Sequence, residues 1–285
     1  DLHSFPTRRS SDLGNSSDPY PADLRSASPD AVAHAVRHEL DLLEEAEGAR
    51  VLLAVESGSR AWGFESPDSD FDVRLVYVRP VEHYLRLDPV RDVLEWRLDE
   101  VLDVSGWDLD KSLRLARGAN PSFFEWLASP VIYDEDPAFA AVRDLAAECF
   151  SPAASARHYL SMATGQLVAC QGETVPLKKY LYTVRALLAA RWVVAERRPA
   201  PMRLKDLVDA GLEGPVRGPL KDVLADKAVS GERDGHPRVP ELDAWLQTTL
   251  AELTDVVADL ATAPKVPWER LNEVFLAVVR SAQAG

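Results

Sequence analysis

Two short motifs in the first third of the chain contain residue types that bind a metal ion and a phosphate. Asp70 and Asp72 are separated by one residue in an alternating run over residues 69–78. Side chains two residues apart lie on one face of a β-strand, so these carboxylates would be neighbours. Mg²⁺ prefers oxygen ligands of this kind. Upstream, Gly58 and Ser59 form a small-residue turn whose N–H groups and hydroxyl could bind an anion.

A third carboxylate is expected to complete the site. Asp103 lies between Leu102 and Val104 in a predicted strand, so it faces away from these apolar residues. Paired carboxylates for a metal ion and a turn that binds phosphate are parts that in-line nucleotidyl transfer requires. This reaction also needs a further metal ligand or base near the attacking hydroxyl, and we assign that role to Asp103. Asp108 is the alternative, although its position at a helix start also suits capping. The predicted catalytic and metal-binding residues are Asp70, Asp72 and Asp103. We expect them to bind two Mg²⁺ ions, and Mn²⁺ could replace Mg²⁺.

The acidic run has two other interpretations. A calcium loop that starts at Asp68 would need Gly at its sixth position and Glu at its twelfth, where the chain has Val73 and Arg79. A solvated turn would explain the Asp-x-Asp pattern taken alone. The strand context and the preceding Gly-Ser turn favour the metal site over both.

Residues from both halves of the chain are expected to bind a nucleotide. Gly58 and Ser59 would hold the β- and γ-phosphates, and Arg60 would add a cation. The helix predicted over residues 176–197 has a stripe with two cations and two aromatic rings: Lys178, Tyr182, Arg185 and Trp192. Such a stripe could contact a triphosphate and stack on a base, or it could be a solvated edge. The predicted nucleotide-binding residues are Gly58, Ser59, Arg60, Lys178, Lys179, Tyr182 and Arg185.

Hydrophobic periodicity divides the chain into two halves of an α+β protein. Residues 30–150 mix helical and alternating segments, which predicts a small mixed β-sheet with flanking helices and Asp30 as the first N-cap. Residues 151–285 have a purely helical pattern, which predicts an all-α domain. Residues 14–29 are rich in Ser, Pro and Asp and are expected to be a disordered lead-in. Residues 1–13 resemble a translated sequencing adaptor and are expected to be an assembly artefact.

Composition limits the partners and the compartment. The net charge of −14 argues against stable, general nucleic-acid binding, which needs a basic surface. No apolar run approaches membrane-spanning length. Cys149 and Cys170 have neither metal-type spacing nor a disulfide framework, so a reducing cytoplasmic setting is expected.

These motifs resemble the DNA polymerase β-like nucleotidyltransferase superfamily, on the strength of residues 56–64 and 69–74. Further segments resemble its bacterial and phage RNA-repair-associated, RlaP-like branch: residues 103–109, Lys111, 120–121, 125–127, 129–130, 159–160, 178–182, Arg185 and 201–202. The resemblance covers roughly residues 50–280 and implies that 30–150 is a polymerase β-like palm. Asp110 departs from the pattern, because a basic residue is expected there.

The resemblance implies Mg²⁺-dependent transfer of a nucleoside monophosphate from an NTP to a hydroxyl, an activity of EC 2.7.7 type. The acceptor could be an RNA 3′ end, a protein or a small molecule. One alternative is a protein adenylyltransferase of antitoxin type, which the large helical half disfavours. The other is a catalytically silent nucleotide-binding scaffold, which the presence of both Asp70 and Asp72 disfavours.

Overall fold

The structure is a computed structural model that describes residues 23–99, 101–170, 172–212, 214–231 and 235–283. The predicted artefact at residues 1–13 and residues 14–22 of the predicted lead-in lie outside these ranges.

A short 3₁₀ turn precedes the first long helix. It spans Leu24–Ser26, and the side chain of Leu24 is buried. The helix begins at Pro29 and its N-cap is Ser28, whose hydroxyl accepts a hydrogen bond from the Ala31 N–H. The predicted N-cap, Asp30, is therefore wrong: this residue lies in the first turn, where its charge complements the helix dipole.

The first half alternates strands and helices, as the periodicity predicts. In chain order its elements are α1 (Pro29–Glu47), β1 (Arg50–Ser57), α2 (Gly58–Trp62), β2 (Phe71–Val78), α3 (Val81–Tyr84), β3 (Val93–Leu98), β4 (Leu102–Asp108), α4 (Leu109–Arg117), α5 (Pro121–Leu127), β5 (Ile132–Glu135) and α6 (Ala140–Cys149).

The five strands form one mixed sheet in the order β3-β4-β2-β1-β5. Strand β2 is antiparallel to β1 and parallel to β4, and this parallel register aligns Asp72 with Asp103. Along β2, Phe71 and Val73 are buried, while Asp72 is partly exposed on the opposite face. The predicted small mixed sheet is confirmed, and so is the strand position predicted for Asp72.

The second half is mostly helical. Its elements are α7 (Pro152–Ala169), β6 (Thr174–Pro176), α8 (Leu177–Glu196), α9 (Leu204–Gly211), α10 (Arg217–Val229), β7 (Gly235–Pro237), α11 (Pro240–Ala258) and α12 (Trp268–Gln283). Strands β6 and β7 pair in a small antiparallel sheet, so the expectation of helices alone is wrong at this point. Strands of three residues with prolines leave no alternating pattern to detect.

Helices cover both faces of the five-stranded sheet. Helix α1 packs on one face, where Val36 and Leu40 share a core cluster with Val73. Helices α4, α5 and α6 pack on the other face together with α12, whose Val278 belongs to the same core cluster as Leu52. The last helix of the chain therefore packs on the α/β half. Among the described residues, no helix combines the length and the apolar character that a bilayer crossing requires.

Candidate active site

Three carboxylates converge at the beginning of two neighbouring strands. Asp70 precedes β2, Asp72 lies within it, and the parallel register places Asp103 of β4 beside Asp72. One oxygen of each lies within 4.8 Å of the others. In the part of the chain that the structure describes, no other group of three His, Cys, Asp or Glu residues meets this criterion. A donor set made only of carboxylate oxygens fits Mg²⁺ or Mn²⁺.

The electrostatics of this group favour a bound cation. Burial raises the pKa of Asp72 to about 6; the Arg74 charge opposes this shift, and the negative charges of Asp70 and Asp103 add to it. Ionised carboxylates that crowd one another are stabilised by a nearby positive charge.

Gly58 lies directly against the carboxylate of Asp72. Its φ is +61°, and a Cβ built on it would lie 1.8 Å from Asp72 Oδ2. Only glycine satisfies both the backbone conformation and this close approach. Gly58 begins α2, whose first N–H groups have no acceptor within the helix. The structure therefore brings the predicted phosphate turn together with a predicted metal ligand.

The hydroxyl of Ser59 is bonded within the protein. Ser59 Oγ donates to Ser69 Oγ at 3.1 Å, and Ser66 Oγ lies 3.0 Å from the same Ser69 oxygen. Lys227 Nζ of α10, which is 1% exposed, donates to Ser66 Oγ at 2.6 Å. A buried hydrogen-bonded cluster thus connects the helical half to the loop before Asp70. In this arrangement Ser59 offers a substrate its backbone N–H, and its hydroxyl would first have to leave Ser69.

Arg60 holds the loop that carries Asp70. Its Nε donates to the Asp70 carbonyl at 2.9 Å, and its Nη2 donates to the Ser69 carbonyl at 2.8 Å. The guanidinium also lies over the Phe71 ring, 3.9 Å from the centroid. These contacts fix the Asp70 loop, and the nucleotide role of Arg60 stays a prediction.

Glu56 is a site residue that sequence reasoning missed. It is 2% exposed, accepts a hydrogen bond from the Asp72 N–H at 2.9 Å and accepts another from the Tyr133 hydroxyl. Burial raises its pKa to about 7. Its contacts fix the backbone at Asp72. The detectable signal is a carboxylate near the end of an apolar strand, two residues before Gly58.

Arg74 is a second missed residue, and it bridges two of the three carboxylates. Its Nη2 donates to Asp72 Oδ1 at 2.7 Å and to Asp103 Oδ2 at 2.9 Å, while Nη1 donates to Asp103 Oδ1 at 3.1 Å. The two-residue period of a strand puts Arg74 on the face of Asp72, so the same pattern that predicts the Asp pair could have found it.

Helix α8 brings part of its predicted stripe to the site. Tyr182 packs edge-on against Trp62 of α2 with the ring centroids 4.7 Å apart, and Lys178 Nζ lies 5.8 Å from the Tyr182 ring centroid. Although burial dominates the pKa shift of Asp72, the charge of Lys178 is among those that lower it. The charge of Lys178 therefore acts on Asp72.

Lys179, the next residue along α8, acts on Cys170. Burial raises the pKa of the Cys170 thiol, and Lys179 is among the charges that lower it. Both lysines are predicted to bind nucleotide; the charge of Lys178 acts on Asp72 and that of Lys179 on Cys170. The nucleotide role of Lys179 stays a prediction.

Arg185 packs against Trp62, and it is 3% exposed. Its Nη1 donates to Glu125 at 2.8 Å, its Nε donates to the Met202 carbonyl at 3.1 Å, and its guanidinium lies 4.5 Å from the Trp62 ring centroid. Glu125 also accepts a hydrogen bond from Tyr159 at 3.0 Å. Within the described residues, Arg185 Nη2 and Trp62 Nε1 are buried without a hydrogen-bond partner. The nucleotide role of Arg185 likewise stays a prediction.

We expect the Glu125→Gln substitution to lower the free energy of unfolding by about 2 kcal/mol, because the buried charge of Arg185 would lose its ionised partner. Urea denaturation measures this change. The matched control is Glu135→Gln, which weakens a half-exposed ion pair with Arg143 and should cost less than about 1 kcal/mol. Equal losses in the two variants would contradict the importance of the buried pair.

Asp108, the alternative third carboxylate, has a structural role. It is buried, and its side chain caps α4 by accepting a hydrogen bond from the Asp110 N–H at 2.9 Å. The hydroxyl of Tyr84 donates to both of its oxygens at 3.1 Å. Asp108 pairs with Tyr77 at the far end of the β2–β4 register, so Asp103 is the carboxylate that joins Asp70 and Asp72.

The chain has three similarities to known proteins. The chain is 36% identical over 244 residues to the uncharacterized protein YcgL of Bacillus subtilis (strain 168), a match that covers 85% of this chain and 94% of that protein. The crystal structure of a nucleotidyltransferase-like protein from Exiguobacterium sibiricum 255-15 aligns with 13% identity and a TM-score of 0.29, over 80% of this chain and 74% of that one. The family model described as "RNA repair pathway DNA polymerase beta family" (RlaP) matches residues 32–277. The chain therefore belongs to the RNA repair pathway DNA polymerase beta family.

Proposed function

We propose that the protein is a Mg²⁺-dependent nucleotidyltransferase that moves a nucleoside monophosphate from an NTP to a hydroxyl acceptor. The observation that carries the proposal is the convergence of Asp70, Asp72 and Asp103 against the Gly58 turn. Membership of a DNA polymerase β family supports the same class of reaction. A hydroxyl at an RNA end is our proposed acceptor, because the family is described by an RNA repair pathway.

Each part of the site has a task in this proposal. Asp70, Asp72 and Asp103 would hold Mg²⁺, as two ions or with Mn²⁺ in its place, and the metal would supply charge neutralisation at the triphosphate. The first N–H groups of α2, at Gly58 and Ser59, would bind phosphate oxygens.

The surrounding residues bind or position the nucleotide in this proposal. Lys178 would contribute a cation, and Tyr182, held by Trp62, would present an aromatic face to the base. Arg60 positions the loop of Asp70. Arg185, which packs against Trp62, is included among the nucleotide-binding residues, because its Nη2 has no acceptor among the described residues.

The decisive assay incubates the protein with each of four α-labelled NTPs, with Mg²⁺ or EDTA, and with total RNA or total protein. We expect Mg²⁺-dependent label on RNA with one NTP. Label on protein would contradict the RNA acceptor and favour the adenylyltransferase of antitoxin type. Absence of label from RNA and protein, and from small molecules resolved by chromatography, would contradict a transferase and favour the silent nucleotide-binding scaffold.

We expect Lys178→Ala to raise the KM for the NTP about tenfold, because the variant loses a cation beside the triphosphate. The matched comparison is Lys179→Ala. The charge of Lys179 acts on Cys170, so the effect of this substitution on KM should be several times smaller. Steady-state kinetics with varied NTP measures both values. A larger effect from Lys179→Ala would contradict this division between the lysines.

A cytoplasmic setting, and the lack of stable general nucleic-acid binding, are further parts of the proposal. They are supported by the net charge of −14 and by two cysteines that are buried and free.

A further inference from the structure

We propose that Arg74 is a positioning residue that holds the carboxylates of Asp72 and Asp103 in the absence of substrate and exchanges them for a nucleotide phosphate. The inference rests on the proposed function, because it assigns a role within the same site. Its consequence is that a divalent cation alone binds weakly, whereas cation and nucleotide together bind tightly.

The guanidinium uses the oxygens that a cation would need. It bonds to Oδ1 of Asp72 and to both carboxylate oxygens of Asp103. The second oxygen of Asp72 is directed at the backbone of Gly58, where even a methyl group would lie 1.8 Å from it. A metal ion could therefore coordinate these two carboxylates fully only after the guanidinium releases them.

The guanidinium is held by more than one ion pair. The side chains of Arg74 and Asp72 are each 19% exposed, and that of Asp103 is 23% exposed, so water screens these pairs incompletely. Arg74 Nη1 also donates to the carbonyls of Val73 and Asp103 at 3.0 and 3.1 Å. A planar fork bonded to two carboxylates is among the stronger charge-assisted arrangements in proteins. Its release by a metal ion alone would leave a partly buried cation without an anion.

A nucleotide supplies the missing anion. Phosphate oxygens match the fork of a guanidinium as carboxylates do, and the Gly58 turn lies beside the same Asp72. When phosphate becomes available, Arg74 can pass from carboxylate to phosphate without losing its ionic partners. Cation and nucleotide should then increase the affinity of each other by the same factor, because binding linkage is reciprocal.

The test is a titration with Mn²⁺ alone, with free Mn²⁺ measured by electron paramagnetic resonance. It uses the full chain, the variant Arg74→Met and the control Arg97→Met. Arg97 lies on β3, an edge strand of the same sheet, and also bridges two carboxylates, those of Glu39 and Asp99. We expect Arg74→Met to bind Mn²⁺ about tenfold more tightly than wild type, and Arg97→Met to match wild type.

A second titration adds the α,β-methylene analogues of the four NTPs. One analogue should increase the Mn²⁺ affinity of wild type by about tenfold, and this gain should be reduced or lost in Arg74→Met. Equal or weaker Mn²⁺ binding by folded Arg74→Met, without nucleotide, would overturn the inference.

Two further variants keep the outcomes distinct. If Arg74→Met does not fold, Arg74→Lys is used in its place. A single ammonium cannot bridge both carboxylates as a guanidinium does, so this variant should bind Mn²⁺ more tightly than wild type. Equal Mn²⁺ affinity of Arg74→Lys and wild type would overturn the inference. Asp72→Asn reports on the metal site itself. If Asp72→Asn weakens Mn²⁺ binding while Arg74→Met leaves it unchanged, the inference fails alone. If folded wild type, Arg74→Met and Arg74→Lys bind no Mn²⁺ with or without analogues, the proposed function fails as well.

Discussion

Replacing Asp72 by Asn is expected to lower the rate of nucleotidyl transfer by about 10³-fold or more. The reason is that Asp72 lies at the centre of the carboxylate group: it contacts Gly58, bonds to Arg74 and aligns with Asp103. Loss of a metal ligand removes several kcal/mol of charge stabilisation in the transition state, and each 1.36 kcal/mol is worth about a factor of ten in rate. Single-turnover transfer from the labelled NTP, at saturating Mg²⁺, measures the change.

The fold should survive this substitution. The pair between Asp72 and Arg74 is partly exposed, so we expect the free energy of unfolding to stay within about 1 kcal/mol of wild type. Asp110→Asn is the matched control, because Asp110 is a partly exposed carboxylate that forms an ion pair with Arg114 on α4. That control should retain full activity. Activity of the Asp72→Asn protein near the wild-type rate would contradict the assignment of the metal ligand.

Gly58→Ala is expected to lower transfer about 100-fold and to destabilise the protein. The added Cβ would lie 1.8 Å from Asp72 Oδ2, so the carboxylate or the turn must move. A displacement of about 1 Å at a reacting centre can cost about 100-fold in rate. Single-turnover kinetics measures the rate, and urea denaturation measures the stability.

Gly63→Ala separates the steric effect from the backbone effect. Gly63 ends α2 with φ +80°, but a Cβ built on it meets nothing within 4 Å. We therefore expect about 1 kcal/mol of destabilisation from the left-handed conformation, with transfer close to wild type. If the two alanine variants lose the same activity, close approach to Asp72 is not the reason that position 58 is glycine.

The carboxylate pair was predictable from local rules alone. The two-residue period of a strand places Phe71 and Val73 in the core and Asp72 on the opposite face, and the structure confirms this. The position of Asp103 in a strand could also be predicted from the sequence. Its alignment with Asp72 could not, because it depends on parallel pairing between strands that are separated by α3 and β3.

The contacts of Arg60 and Arg185 were harder to predict from the sequence than the carboxylate pair. The buried stripe of α8, which includes Leu177, Leu181 and Val184, follows the helical period. That period could not show that Glu125 and Trp62 would lie opposite Arg185, since these residues come from distant segments. The same limit applies to Arg60, whose partners are backbone carbonyls of the Asp70 loop. A projection gives the direction of a side chain, and tertiary packing decides its partners.

Domain organisation shows the same division between local and tertiary information. The helical pattern predicted for residues 151–285 includes α12, but the apolar face of α12 packs in the core cluster of Leu52, which belongs to the sheet. Nothing in that pattern specifies which of two apolar surfaces the helix will cover. The Ser28 cap shows a smaller case: Ser28 and Asp30 are both good N-caps, and Pro29 between them favours the earlier one because proline suits the first helical position.

Asp70, Asp72 and Asp103 are proposed to form a divalent metal site against the Gly58 turn. The most direct test is a crystal structure of the protein with Mn²⁺ and a non-hydrolysable NTP analogue, in which anomalous scattering locates the metal. We predict Mn²⁺ coordinated by these three carboxylates, with phosphate oxygens at the N–H groups of Gly58 and Ser59. Mn²⁺ bound elsewhere, or three carboxylates that point apart with the nucleotide at another surface, would contradict the proposed metal site.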